Sequence, residues 1–286
     1  MTTIQHAAEP IILAEKLTKT FSTRQRIRGM RRERVDFTAV DGIDLSVQAG
    51  ELVGYIGPNG AGKSTTIKML TGILTPTSGL LRVAGHEPQR ERVRLARRIG
   101  VVFGQRTTLW WDLPLEDSFT LLQRLYKIPR ERYEANLAYY TEALDLGPFL
   151  GRPVRQLSLG QRMRGDITAA LLHDPAVVYL DEPTIGLDVV SKHAVREFLS
   201  DLNRRTGTTI LLTTHDIADI ERLCSRVVAI DHGRVTYDGS IEALRADRDL
   251  ETVIRELYLG RSLVDTTELV DTTELAETTE LVDTTE

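Results

Sequence analysis

The run Gly57-Pro58-Asn59-Gly60-Ala61-Gly62-Lys63-Ser64-Thr65 has the residue types that hold phosphate. Its three glycines let the backbone turn tightly and aim N–H groups at phosphate oxygens. Lys63 would reach the outer phosphates as a point charge, and the Ser64 hydroxyl would meet Mg²⁺. The flanking elements fit. Leu52 to Ile56 is an apolar run that reads as a buried strand, and Ile67, Leu70 and Leu74 recur at helical spacing after the loop. Strand, glycine loop and helix together direct a helix N-terminus at the phosphates. An ordinary Gly-rich turn would explain the glycines but not the Gly-Lys-Ser triplet in this setting.

A second apolar run, Val177 to Leu180, ends in Asp181-Glu182. Such a run is of parallel-strand type, and a carboxylate at its C-terminal end faces the ligand edge of the sheet. Asp181 would hold Mg²⁺, and Glu182, one residue on, would polarise an attacking water. A solvated acidic turn is the plain alternative. The phosphate loop upstream favours the catalytic reading.

With these residues in view, the chain resembles the nucleotide-binding subunit of an ABC transporter over roughly residues 10–245. Leu157-Ser158-Leu159-Gly160-Gln161 resembles the family signature, with Leu159 where the commonest form has Gly. The resemblance implies that Ser158 and Gly160 contact the γ-phosphate of ATP held by the opposite subunit. Ser158 would also cap the following helix, with Gln161 completing a capping box. Gln105 resembles the Q-loop glutamine that senses Mg²⁺ and the membrane partner. Asp188 resembles the D-loop aspartate that signals across the dimer, and also suits a helix cap. His215 resembles the switch histidine on the γ-phosphate. Taken alone, each would read as an ordinary surface or capping residue; their order along one chain carries the resemblance. Phe21 lies where the family stacks an aromatic on adenine, with Phe37 as a rival. Trp110 and Trp111 fall in the segment that, in the family, helps form the groove for a membrane subunit's coupling helix.

The resemblance implies an α/β fold: a P-loop NTPase, RecA-like core with an N-terminal antiparallel β subdomain and an inserted α-helical subdomain. It implies an ATPase using ATP and Mg²⁺. The partners would be a second copy or paralogue, in a head-to-tail dimer, and integral membrane permease subunits at the cytoplasmic face of the cell membrane. Three stretches, 103–114, 157–164 and the insert after Phe21, look like ATPase subunits of ABC-2-type exporters, in particular the viologen-exporter-like group.

Composition agrees with a globular chain: 286 residues, 41% hydrophobic and 27% charged. No apolar run approaches the ~18–20 residues that span a bilayer, and no secretory signal pattern is present at the N-terminus. The single cysteine, Cys224, precludes an internal disulfide and fits a core position near Ile217 and Ile220. The net charge of −5 conceals a division, because eight carboxylates in the last 24 residues leave +3 for residues 1–262.

Residues 1–9 are expected to form a flexible N-terminus and 10–245 the ATPase domain. Within that domain the helical subdomain falls at about 105–164. A helical extension is expected over 246–262. Residues 263–286 repeat a hexad four times, from Leu-Val-Asp-Thr-Thr-Glu onward. Four hexads are too few to bury a face, so disorder is expected. Six arginines between Arg24 and Arg34 with one acid, Glu33, read as a solvated loop, with contact to anionic lipid headgroups or an acidic partner surface as the functional alternative. Two rival functions are a non-transport ABC ATPase acting on ribosome or DNA, and a regulatory module without turnover. The first usually carries paired cassettes or a long coiled coil. The second conflicts with Glu182 and His215. No nucleic-acid partner is expected.

Overall fold

The computed structural model describes residues 9–26, 32–104, 106–246 and 248–258. The chain begins with β1 (Ile12–Arg26), β2 (Arg32–Val47) and β3 (Leu52–Ile56), then α1 (Lys63–Leu70), β4 (Ser78–Val83), α2 (Arg92–Ala96) and β5 (Ile99–Phe103). Helices α3 (Leu115–Tyr126), α4 (Arg130–Ala143) and α5 (Leu159–Leu171) follow. Then come β6 (Val177–Asp181), α6 (Val189–Thr206), β7 (Thr209–Thr213), α7 (Ile217–Leu223), β8 (Arg226–Asp231), β9 (Arg234–Ser240), α8 (Ile241–Arg245) and α9 (Leu250–Tyr258).

Two sheets result. A three-stranded antiparallel sheet runs β2-β1-β4, and a six-stranded sheet runs β5-β6-β7-β3-β8-β9. The first five strands of the larger sheet are parallel, and β9 pairs antiparallel on β8. Strands β3 and β7 are buried along their whole length, which is why they read as unbroken apolar runs. The C-terminal ends of β3, β6 and β7 therefore lie along one edge, where an α/β sheet places its ligand. This is the expected α/β architecture, with the antiparallel β subdomain at the N-terminus.

Two apolar clusters hold the layers. One joins α3, α4, α5 and α6 to one face of the large sheet, with Phe119, Phe149, Ile167, Leu180 and Leu212 among its members. The other packs the small sheet and α1 onto the opposite face, through Leu17, Ile43, Tyr55, Met69 and Tyr179. The α9 helix lies in the expected extension and contributes Leu250, Val253 and Ile254 to the first cluster. Burying side chains of this size is worth ~1.5–3 kcal/mol each. No helix among the described residues is long and apolar enough to cross a membrane.

Three boundaries differ from expectation. Helix α1 stops at Leu70, because Gly72 turns the chain at φ +74° with Pro88 O where a Cβ would sit, so Leu74 packs from outside the helix. Helix α5 runs to Leu171, past the expected end of the helical insert. The described ends of the arginine-rich stretch, read as a solvated loop, continue the β1–β2 hairpin: Phe21 pairs with Phe37, and pairing extends to Arg26 and Arg32. Aromatic and β-branched residues at Phe21, Thr23, Val35 and Phe37 favour strand there. Arg34 is held by Asp36 at 3.0 Å and Ser22 at 2.8 Å. Residues 27–31, 1–8, Gln105 and the hexad tail lie outside the described residues.

Candidate nucleotide site

The phosphate loop is wedged between β2 and β8. A Cβ on Gly57 would meet Ile230 O at 2.3 Å, and one on Gly62 would meet Ala39 O at 2.5 Å. Gly62 also has φ +109°, a conformation that disfavours L side chains. No side chain caps α1, so the first-turn N–H groups stay available for an anion. Lys63 is buried. Its Nζ donates to Gly57 O at 2.5 Å and Pro58 O at 3.1 Å. Burial pulls its pKa down, and the carboxylates of Glu182 and Asp181 oppose that shift.

Across the cleft, Asp181 ends β6. Its Oδ1 accepts from Thr213 Oγ1 at 2.6 Å, which fixes the carboxylate. Glu182 sits at φ +54°, unusual for a residue with a side chain, and such a conformation costs ~1–3 kcal/mol. Its N–H donates to Thr213 O at 3.0 Å. Its Oε2 accepts from the His215 N–H at 3.3 Å, and its Oε1 lies 3.3 Å from His215 Nε2. That Oε1 is buried and makes no hydrogen bond among the described residues. Burial raises the pKa of Glu182. His215 pulls it back and Asp181 pushes it further up. A carboxylate with a raised pKa and an oxygen that makes no hydrogen bond among the described residues suits proton abstraction.

A cleft of about 510 Å³ brings together Pro58, Asn59, Gly60, Gly62, Lys63, Ser64, Thr65, Asp181, Glu182 and His215. Phe37, Ala39 and Ile185 complete its wall. Phe21 is not among the lining residues; Phe37, 60% exposed, takes that place. The two are directly opposed across the hairpin, and Lys19 Nζ lies 5.2 Å from the Phe21 ring centroid. Opposed residues share one face of an antiparallel pair, and β2 is the strand that runs beside the phosphate loop, with Ala39 against Gly62, so the ring on β2 is the one in the cleft wall. The Ser64 hydroxyl and the Asp181 carboxylate stand in the same cleft, and hard oxygen donors of this kind suit Mg²⁺.

The signature segment lies elsewhere. Ser158 caps α5: its Oγ accepts from Gln161 N at 3.2 Å, and its N–H donates to Gln161 Oε1 at 3.0 Å. Leu159 is the first helical residue and needs no left-handed backbone, so a side chain fits where Gly is commoner. Its Cδ2 lies 2.9 Å from where a Cβ of Gly186 would sit. Gly160 has no such room, since its Cβ would meet Ser191 Oγ at 2.6 Å. Asp188 caps α6 through Ser191 N at 2.9 Å.

Asp166, on α5, escaped the sequence reading. It is buried and accepts from Thr107 Oγ1 at 2.8 Å and Thr108 N at 3.1 Å, tying the segment after Gln105 to the signature helix. A polar residue on an apolar helix face was the only signal. Burial raises its pKa to about 6, with the two threonines and Arg162 opposing. The folded state therefore binds the extra proton between the unfolded value near 3.8 and about 6, and this group's stabilisation is lost as pH rises through that window. Asp166→Asn keeps an acceptor and removes the titration. Thermal unfolding should show the variant gaining on the parent from pH 4 to pH 7, by ~3 kcal/mol at most. Parallel pH curves would refute it.

The ABC transporter family model matches residues 40–185. The chain is 34% identical over 206 residues to the ABC transporter ATP-binding protein NatA of Bacillus subtilis, covering 72% of this chain and 83% of that one. It is 36% identical over 233 residues to the daunorubicin resistance ATP-binding protein DrrA3 of Streptomyces coeruleorubidus, with 80% and 73% covered. It is 40% identical over 210 residues to the Nod factor export ATP-binding protein I of Paraburkholderia xenovorans, with 73% and 68% covered. Among solved structures, the ATP-binding subunit of an ABC transporter superposes with a TM-score of 0.74 at 26% identity, covering 86% of this chain and 99% of that one. A dimeric post-hydrolysis state of the cassette MJ0796 bound to ADP and Pi gives 0.69 at 26% identity, with 80% and 98% covered. The chain belongs to the ABC transporter family, as an ATP-binding subunit that hydrolyses ATP.

Proposed function

We propose that this subunit drives an ABC-2-type exporter, closing head to tail on a second copy or a paralogue so that two ATP molecules are sandwiched between the chains. One observation carries the dimer: the cleft holding Lys63, Glu182 and His215 includes no residue of 157–161 among its walls, while Ser158 is exposed at a helix start. A site that lacks its signature contacts is completed by another chain. Val189 and Val190, 85% and 79% exposed beside Asp188, provide apolar surface for that contact. The exporter assignment follows relatives named for drug resistance and Nod factor export.

In the closed site, Lys63 and the loop N–H groups bind the phosphates. Ser64 and Asp181 would hold Mg²⁺, which supplies neutralisation of phosphate charge when bound. Glu182 accepts the proton of the attacking water at Oε1, and His215 orients that carboxylate and the terminal phosphate. ATP and water leave as ADP and phosphate.

Membrane subunits would hold the protein at the cytoplasmic face of the membrane, docking on Trp110 and Trp111. These are 40% and 49% exposed. Their backbone is pinned: Trp110 N donates to Ser118 Oγ at 3.2 Å, and Arg155 N donates to Trp111 O at 3.0 Å. Rigid exposed indoles serve as interface anchors, where truncation costs ~2 kcal/mol, or about 30-fold in Kd. The test is affinity purification from the native membrane in mild detergent. The parent chain should bring a polytopic membrane protein with it, and Trp110→Ala or Trp111→Ala should weaken that capture while leaving ATP binding intact. Capture of ribosomes instead would overturn the assignment, and full assembly by both variants would remove the tryptophans from the interface.

A further inference from the structure

We propose that Asp219 and Arg196 are positioning residues for hydrolysis, a buried ion pair that locks the Glu182 turn, the His215 loop and the helix begun by Asp188 into one register. The inference rests on the reading that Glu182 and His215 act at the γ-phosphate.

Asp219 lies in the first turn of α7 and has no solvent exposure. Its Oδ2 accepts from Thr184 Oγ1 and from Thr214 Oγ1, the latter at 2.9 Å. Thr184 stands two residues after Glu182, and Thr214 immediately precedes His215. Both threonines are buried. One oxygen atom therefore sets the separation of the two segments that carry the reacting side chains. Its Oδ1 accepts from Arg196 Nε, one of the close contacts of the molecule. Arg196 Nη2 reaches Asp216 Oδ2 at 3.1 Å, which also takes Lys192 Nζ at 2.7 Å. Asp216 in turn caps α7 through Ala218 N at 3.1 Å. Lys192 and Arg196 sit one turn apart on α6, the helix that Asp188 begins.

A buried ion pair of this kind gives little net stability over an apolar replacement, because desolvation offsets the attraction. Its effect is geometric. Three donors from three elements converge on one carboxylate, so movement of any of them breaks a bond with no water to replace it. The 3.3 Å approaches between Glu182 and His215 depend on that placement. Reacting groups displaced by ~1 Å lose about 10²-fold in rate. The same pair transmits a shift of α6, and hence of Asp188, to the catalytic carboxylate.

Two variants of the full chain test this, with Glu182→Gln alongside. Arg196→Met with Asp219→Leu removes the pair without leaving a lone buried charge. Thr184→Val with Thr214→Val keeps the pair and the shape but removes both hydroxyl contacts. Each should melt within a few degrees of the parent and bind ATP within about threefold, while kcat falls at least ~10-fold at an unchanged KM for ATP. A purely structural role would lower stability and leave turnover per folded molecule alone. Turnover within twofold of the parent in either folded variant overturns the proposal. If the ion-pair variant does not fold, the threonine variant decides. Normal turnover in Glu182→Gln would instead sink the underlying assignment of the base. An inactive Glu182→Gln beside fully active positioning variants would sink the positioning role alone.

Discussion

Glu182→Gln should bind ATP as tightly as the parent chain and hydrolyse it ~10²–10⁴ times more slowly. The amide keeps the shape of the side chain and an oxygen to accept the His215 N–H bond. It cannot take a proton from water. Glu182 Oε1 is buried and makes no hydrogen bond among the described residues, which supports this role, and the left-handed backbone at φ +54° places it. Under the proposed cycle, in which hydrolysis reopens a head-to-tail dimer, the variant should accumulate as an ATP-bound dimer, measurable by size-exclusion chromatography with ATP. Single-turnover hydrolysis at the parent rate would remove Glu182 from the chemistry.

Lys63→Met should abolish detectable ATP binding while leaving the nucleotide-free protein as stable as the parent or slightly more so. The ammonium is buried against two carbonyls, and burial already lowers its pKa. Replacing it with an apolar chain of similar length removes a desolvation cost. It also removes the charge proposed to meet the phosphates. Saturating ATP at ~100 Kd stabilises the parent by ~2.7 kcal/mol, a rise of several degrees in Tm. Differential scanning fluorimetry should find that rise in the parent and none in Lys63→Met. An equal rise in both would show that the loop N–H groups suffice.

Much of this was legible in the residues. Leu52–Ile56 and Val177–Leu180 announced buried parallel strands because both their faces are covered, leaving no polar alternation to obscure them. The phosphate loop, Asp181-Glu182 and the Ser158/Gln161 capping box are local: each is set by neighbours within a few positions, so spacing reveals them.

Other features belong to the tertiary structure, since they depend on which distant segments meet. Phe37 rather than Phe21 lines the cleft because β2, not β1, is the strand laid beside the phosphate loop, although the two residues pair directly across the hairpin. Asp166 and Asp219 looked like ordinary helical acids; only packing shows that each is buried and takes a donor from far along the chain, Thr107 at 59 positions and Thr184 at 35. Local sequence determined a glycine-rich loop between a strand and a helix, and an acidic pair at the end of a buried strand of an α/β sheet, because short-range sterics and periodicity fix such parts. Their distances, and the buried carboxylates that hold them, were decided by the fold, because hydrogen bonds across the chain have no signature in spacing.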